Sequence, residues 1–396
     1  MPSLGGSQLD RRQVLRMFGA AAVLGASGAA AAACAVEPVD TTVAKPNGRV
    51  VKIGLVTPAL GTYAKIGDDI QKAFRLYLTM NGGLFGGNTV DLRATEEGPT
   101  PEAAAAAVKG LLDDGVLAVA GIANPAALPA LAPMMLQAKV PLVCANACPN
   151  TLVNPDYLWR VSSMEGEAGR SLGAYARAEG PTAYLFYEDS KSARDEVAAF
   201  RAAFTDLGGR IVGDLAGKVA FASRLSSAKS AQPSVVYGGH TGADAAALID
   251  AYRTSGIQAK LIGPGTLTET ADLSKLTALP AKVFTSMFYA SDLDNGANKR
   301  FVASYHKVHG VGPSSFAAAA YDCASILDRA LSRQSTPVTS DALNKIFSSL
   351  GQMDTPRGVW TFNVNRSPQQ RWYLRQLRAD GAVPANLVDT DLTVLS

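Results

Sequence analysis

Arg49-Val50-Val51-Lys52-Ile53-Gly54-Leu55-Val56-Thr57-Pro58-Ala59-Leu60-Gly61-Thr62-Tyr63-Ala64-Lys65-Ile66-Gly67 is the stretch that decides the fold. Val50 to Val56 is an apolar run and predicts a strand. Pro58 and Gly61 break it. A helical pattern follows from Asp68 to Met80. Strand, turn and helix in this order open an α/β sheet. In such sheets ligands bind in the loops beyond the strand ends.

An export leader precedes this unit. Asp10-Arg11-Arg12-Gln13-Val14-Leu15-Arg16 places paired arginines before an apolar stretch from Met17 to Ala33. The pattern resembles a twin-arginine export signal. The apolar stretch is shorter than a typical membrane span and rich in Ala and Gly, so residues 1–33 read as a signal peptide and not as an anchor helix. Ala31-Ala32-Ala33-Cys34 resembles a lipoprotein cleavage box, with Cys34 as the lipidation site. The usual box has Leu where Ala31 stands. An ordinary Ala-x-Ala cleavage site beside an incidental cysteine is the other reading. Residues 34–49, with Pro38, Thr41, Thr42, Pro46 and Asn47, read as a flexible tether. On this reading the chain meets a membrane only through a lipid on Cys34.

From Cys34 onward there are 34 Lys and Arg (37 minus three leader arginines) and 33 Asp and Glu (34 minus Asp10), a formal net charge of +1. Near-neutrality argues against a nucleic-acid partner. Cys34, Cys144, Cys148 and Cys323 are too few for a disulfide scaffold. Cys144 and Cys148 flank a turn at Ala145-Asn146, and a local bridge and two free thiols both remain open. Cys323 lies in a helical run and reads as a small buried residue.

Apolar runs alternate with amphipathic stretches along the chain. Strands are predicted at 90–96, 116–120, 142–144 and 157–161, with helices at 101–113 and 128–138. A second series has helices at 166–178, 193–207 and 243–255. Its strands are 182–187, 210–215, 234–237, 259–262 and 282–287. Helices at 296–309, 315–332 and 339–349 and late strands at 360–364 and 371–377 complete the chain. Such alternation implies parallel sheets covered by helices, and two series imply two lobes.

Several short segments, weak singly, are informative in their order and spacing. They are Lys52-Ile53-Gly54-Leu55-Val56-Thr57-Pro58, Met80-Asn81-Gly82-Gly83, Glu96-Glu97, Val119-Ala120-Gly121, Val140-Pro141-Leu142-Val143 and Leu158-Trp159-Arg160-Val161. Further on come Val236-Tyr237-Gly238-Gly239, Ile262-Gly263-Pro264, Tyr321-Asp322 and Thr355-Pro356-Arg357-Gly358. From Val50 to the C-terminus the chain resembles type I periplasmic binding proteins of the leucine/isoleucine/valine-binding group. The resemblance implies an α/β fold of two lobes, each a parallel sheet flanked by helices, with a ligand cleft between them. Residues 50–161 with 290–360 would form lobe 1, and 162–289 with 361–396 lobe 2. The chain would cross near Ser162-Ser163, Tyr289-Ala290 and Phe362-Asn363, and close by a hinge motion. It also implies a monomeric receptor that needs no cofactor and hands its ligand to an ABC-type permease and ATPase.

The residues that grip an amino acid in that group do not carry over. The expected Ser falls on Pro125, beside Asn124, and proline offers neither hydroxyl nor N–H. The expected Thr is Cys148, after Asn146 and Ala147. The aromatic before Gly67 is Ile66. Two expected tyrosines are Ser192 and His240, and the acid that would pair with the ligand ammonium is Gly265. Burying an ammonium without an anion is costly. Glu165 or Glu167 could replace the lost charge, or be a solvated acid at a helix start. His240 is a candidate contact for a carboxylate or amide, or a structural histidine. Tyr63 either lines the ligand or packs its loop. Met287 and Tyr289 share a strand face and so a route to the cleft. His306 and His309 read as surface residues, with no metal-ligand cluster nearby.

Catalysis is not indicated. The turn after the first strand has no Gly-x-Gly-x-x-Gly, and no Gly-x-Ser-x-Gly elbow occurs. A small polar ligand, whether amino-acid-like, amide or carboxylate, is expected. A module that senses such a ligand for a membrane signalling partner is the alternative to transport.

Overall fold

The computed structural model describes residues 44–395 except 147, 153–154, 218–220, 277 and 382. The leader, Cys34, most of the tether and Ala147 lie outside the described residues. The first sheet is built from β1 (Val50–Thr57), β2 (Leu84–Phe85), β3 (Asn88–Glu96), β4 (Ala118–Gly121), β5 (Leu142–Cys144) and β6 (Leu158–Arg160). Its order is β2-β3-β1-β4-β5-β6, and every pairing is parallel except the short β2–β3 hairpin. β1 is central. Ile53 pairs with Leu92 on one side and Ala118 on the other, so its side chains are buried on both faces.

Helices α1 (Ala64–Met80), α2 (Pro101–Asp113) and α3 (Leu128–Ala138) cover this sheet. Thr100 starts α2 by accepting the Ala103 N–H at 3.2 Å, with Pro101 at the first helical position. α1 begins close against the β1 loop because residue 67 is glycine. A Cβ there would lie 2.1 Å from the Pro58 carbonyl oxygen. Gly121, at φ +107°, ends β4 in a bend, with its α-carbon hard against the Val56 carbonyl.

The second sheet holds β7 (Thr182–Tyr187), β8 (Arg210–Ala216), β9 (Val235–Gly239), β10 (Lys260–Pro264) and β11 (Val283–Met287), all parallel. Helices α4 (Glu167–Glu179) and α5 (Lys191–Asp206) pack on one face. α6 (Phe221–Ala231), α7 (Gly242–Thr254) and the short α8 (Thr266–Glu269) pack on the other. The chain then returns to the first sheet. α9 (Gly296–His309) and α10 (Ser315–Ser332) pack against α1, and α11 (Ser340–Phe347) against α10. The hairpin of β12 (Met353–Thr355) and β13 (Gly358–Phe362) leads into β14 (Pro368–Asp380), which runs antiparallel to β11, and β15 (Val383–Leu395) pairs along β14.

β2, α6, α8, β12 and β15 were not expected from the sequence. α6, reading Phe-Ala-Ser-Arg-Leu-Ser-Ser-Ala-Lys-Ser-Ala, has a weak period, yet Phe221, Leu225 and Ala228 anchor it in the core. β15 contains Pro384, Asn386, Asp389 and Asp391, residues depleted in strands, and is held by its long pairing with β14. β12 exists through pairing with β13. Cys144 and Cys148 are both free, buried thiols.

The chain leaves the first sheet after β6, and β12 and β13 join the second sheet through β14; the segments after β6, β11 and β13 lie close together. Arg357 joins them. Its Nη1 donates to the Val161 carbonyl (2.5 Å) and to Gln370 Oε1 (2.6 Å), and its Nε to Asp322 Oδ2 (2.7 Å). Its guanidinium lies 4.4 Å from the Phe288 ring centroid and 4.9 Å from that of Trp360. Gln370 in turn donates to the Ser162 carbonyl at 2.7 Å.

Candidate functional site

The loops beyond the C-terminal ends of the two parallel sheets meet each other. Lys65, just beyond the β1 loop, donates to the backbone carbonyl of Glu269 beyond β10. The Glu269 carboxylate accepts the Ser315 N–H (3.2 Å) and hydroxyl at the start of α10, and pairs with Arg375. A carboxylate at a helix N-terminus is favoured by the free N–H groups and the helix dipole. Arg375, buried on β14, also donates to the Tyr289 carbonyl at 2.8 Å.

In the first sheet, Glu97 follows β3 and is fully buried. Its two oxygens accept the N–H groups of Ala123 (2.7 Å) and Asn124 (2.8 Å). Burial raises its pKa, and these two hydrogen bonds oppose the rise. Asn124 caps the turn of Pro125 by accepting the Ala126 N–H at 3.0 Å. The Asn146 side chain donates to the Ala123 carbonyl at 2.5 Å. The Cys148 N–H donates to the Ser163 carbonyl and its carbonyl accepts the Glu165 N–H, both at 2.9 Å. The loop after β5 is thereby stitched to the first crossing segment.

Tyr63 is half-buried, and its pKa is raised first by burial and then by the negative charges of Glu188, Glu165 and Glu97. Glu165 is buried, and its pKa is raised chiefly by burial, a rise that Ser192 opposes. Glu188 follows β7. It accepts the hydroxyls of Ser190 and Thr241, each at 3.1 Å, and its N–H donates to the Gly239 carbonyl. Glu167, also buried, accepts the Met164 N–H at 2.9 Å, and burial raises its pKa to about 7.

The other expected site residues are placed differently. Ile66 packs in the core with Ile70 and Phe74. Tyr289 is fully buried and donates its hydroxyl to Asn298 Oδ1 at 2.9 Å. His240 is 1% exposed, with Phe221 edge-on at 5.1 Å. Burial lowers its pKa, and Asp244 opposes the fall. The Gly217 backbone is near, but no hydrogen bond of ordinary geometry reaches either ring nitrogen among the described residues. A Cβ on Gly265 would lie 2.6 Å from Arg375 Nη2, so a guanidinium stands where an acid was expected, and it is paired with Glu269.

Glu188, Lys65 and Glu269 were not singled out by the sequence. Glu188 had a signal, since it directly follows a predicted strand of a parallel sheet. A cavity of about 470 Å³ lies beside α1, between Pro58, Asp68, Gln71 and Glu96. Another of about 220 Å³ lies at the crossings, between Arg160, Glu165, Glu167, Arg170 and Asn363. The second touches the carboxylate cluster and the first does not. Among the described residues no group of three His, Cys, Asp or Glu side chains could hold a metal ion, and no helix is long and apolar enough to cross a membrane.

The family model described as periplasmic binding protein matches residues 50–382. A Leu/Ile/Val-binding protein homolog from Brucella abortus (strain 2308) is 27% identical over 346 residues, covering 83% of this chain and 87% of its own. The crystal structure of an ABC transporter solute-binding protein from R. palustris in complex with benzoate is 25% identical, with a TM-score of 0.75, covering 86% of this chain and 97% of the other. A branched-chain amino acid transporter substrate-binding protein from Streptococcus pneumoniae in complex with isoleucine shares the fold. Its TM-score is 0.74 at 19% identity, over 86% of this chain and 100% of the other.

Proposed function

Because the chain belongs to the periplasmic binding protein family, we propose that it is an exported receptor that closes two lobes on a small polar ligand and presents it to an ABC-type permease with its ATPase. Lobe 1 is 50–161 with 290–360, and lobe 2 is 162–289 with 361–396. The observation that carries this reading is the meeting of loops from both sheets across three crossing segments, seen in the Lys65–Glu269 and Glu269–Ser315 contacts. Such an arrangement lets a few crossing residues absorb a rotation while each sheet stays intact. Relatives whose structures hold benzoate or isoleucine support a ligand of that size.

The test is transport. Deletion of the gene in its host should abolish uptake of the solute that the purified protein binds, and a plasmid copy should restore it. Uptake unchanged by deletion would refute the receptor role.

A further inference from the structure

Two donors from one side of the molecule converge on one residue of the other. Lys65 stands in the first turn of α1, and Ser315 opens α10. The two helices pack together, and the Ser314 hydroxyl donates to Asp69 of α1 at 2.6 Å, which ties their starts into one face. That face belongs with the first sheet, because α1 packs on β1 and α10 on β2 and β4. Glu269 ends α8, which follows β10 of the second sheet. Its carboxylate accepts the Ser315 N–H at 3.2 Å and the Ser315 hydroxyl. Its backbone carbonyl accepts the Lys65 ammonium, and the Ala271 carbonyl accepts it as well at 3.5 Å.

Glu269 is fixed to its own side. Arg375 on β14 pairs with it at 2.5 Å and also donates to Thr285 Oγ1 on β11 at 3.2 Å. Glu269 therefore moves with the second sheet, and Lys65 with the first. Bonds of Arg357, Arg160 and Cys148 also join the two sides, but they lie at the crossing segments. A rotation about those segments changes their lengths least. Lys65 follows β1, and β1 lies three strands from β6 in the order β1-β4-β5-β6. At ordinary strand spacing that is about 14 Å from the first crossing. A rotation that parts the lobes stretches the Lys65 contact.

We propose that Lys65, seated on the carbonyls at the end of α8, is the latch of the clamp, with Ser315 on the Glu269 carboxylate as its second contact. The lobes part when these bonds break. This rests on the two-lobe reading above. An ammonium suits the seat because the last carbonyls of a helix have no partner within it, and a charged donor strengthens the bond to each.

Pulsed electron paramagnetic resonance on the mature protein, without added solute, tests the latch. Spin labels on Leu60→Cys and Lys275→Cys read the distance across this contact. Both positions are exposed, one in the loop before Lys65 and one just beyond Ala271. Cys144, Cys148 and Cys323 are buried from the reagent, and Cys34 is replaced by Ala. Lys65→Met and Ser315→Ala leave Glu269 paired with Arg375, so neither strands a buried charge. Combined, with an unchanged circular dichroism spectrum, they should raise the ratio of long to short distances by about tenfold, as loss of two hydrogen bonds would. A combined variant with the wild-type distribution overturns the latch. If that shared distribution holds two distances, the clamp itself stands. If it is one narrow distance, the latch and the clamp both fail.

Discussion

Removing Asp322 should cost more than any single apolar truncation nearby, because it strands a buried guanidinium. Arg357 and Asp322 are 1% and 0% exposed and 2.7 Å apart. Burial raises the Asp322 pKa, and Arg357 opposes the rise. Taking one partner from such a pair costs about 3–5 kcal/mol, because the other keeps its charge without compensation. Arg357 also bonds to Val161 and Gln370 and stacks on Phe288 and Trp360, so the loss falls on all three crossings. The described chain, 44–395, has roughly 350 residues. At about 2.1 cal/mol/K per residue its unfolding entropy is about 0.7 kcal/mol/K. Asp322→Ala should therefore lower the Tm by about 4–7 °C, measured by calorimetry. The double variant Asp322→Leu with Arg357→Met removes both charges at similar volume and should recover most of that loss. A single variant within 1 °C of wild type, or a double variant no better than the single, would refute the reasoning.

Stability should also depend on pH through Glu167 and Glu196, both raised from 4.5 to about 7 by burial. The folded protein then holds protons that the unfolded chain releases, so this contribution is full below pH about 4.5 and is lost as pH rises through about 7. Urea midpoints across that range should fall, and Glu196→Gln should flatten the slope. A rising midpoint would contradict the assignment. Gly67→Ala should displace the Pro58–Tyr63 loop, because the new methyl would meet the Pro58 carbonyl. The expected loss is about 1–3 kcal/mol, and a wild-type denaturation curve would argue against the close approach. Replacing Arg11 and Arg12 by Lys should leave precursor in the cytoplasm, and Cys34→Ala should release the protein from membranes. Unchanged export, or a wild type already free of membranes, would remove the routing or the anchor respectively.

The sequence was most legible where periodicity and burial agree. β1, α2, α3, α9 and α10 lie within a residue or two of their expected bounds, because their apolar residues face a core on a regular period. α6 and β15 were hidden because tertiary pairing overrides weak propensity there. At the candidate site, residue type alone showed that Pro125 has no N–H and Gly265 no side chain. It did not show what stands there instead. That Arg375, 110 positions further along the chain (375 − 265), fills the space beside Gly265, or that Glu97 occupies the amides of the Ala123 loop, depends on long-range geometry. Strand alternation places Tyr289 on one face but does not reveal that its hydroxyl bonds to Asn298 on α9.

Small-angle scattering of the mature protein, titrated with a ligand established by calorimetry, tests the two-lobe clamp most directly. The account predicts a smaller radius of gyration at saturation with an unchanged far-ultraviolet dichroism spectrum, since the sheets move as bodies about the crossings. A radius that stays constant from empty to saturated protein would contradict it.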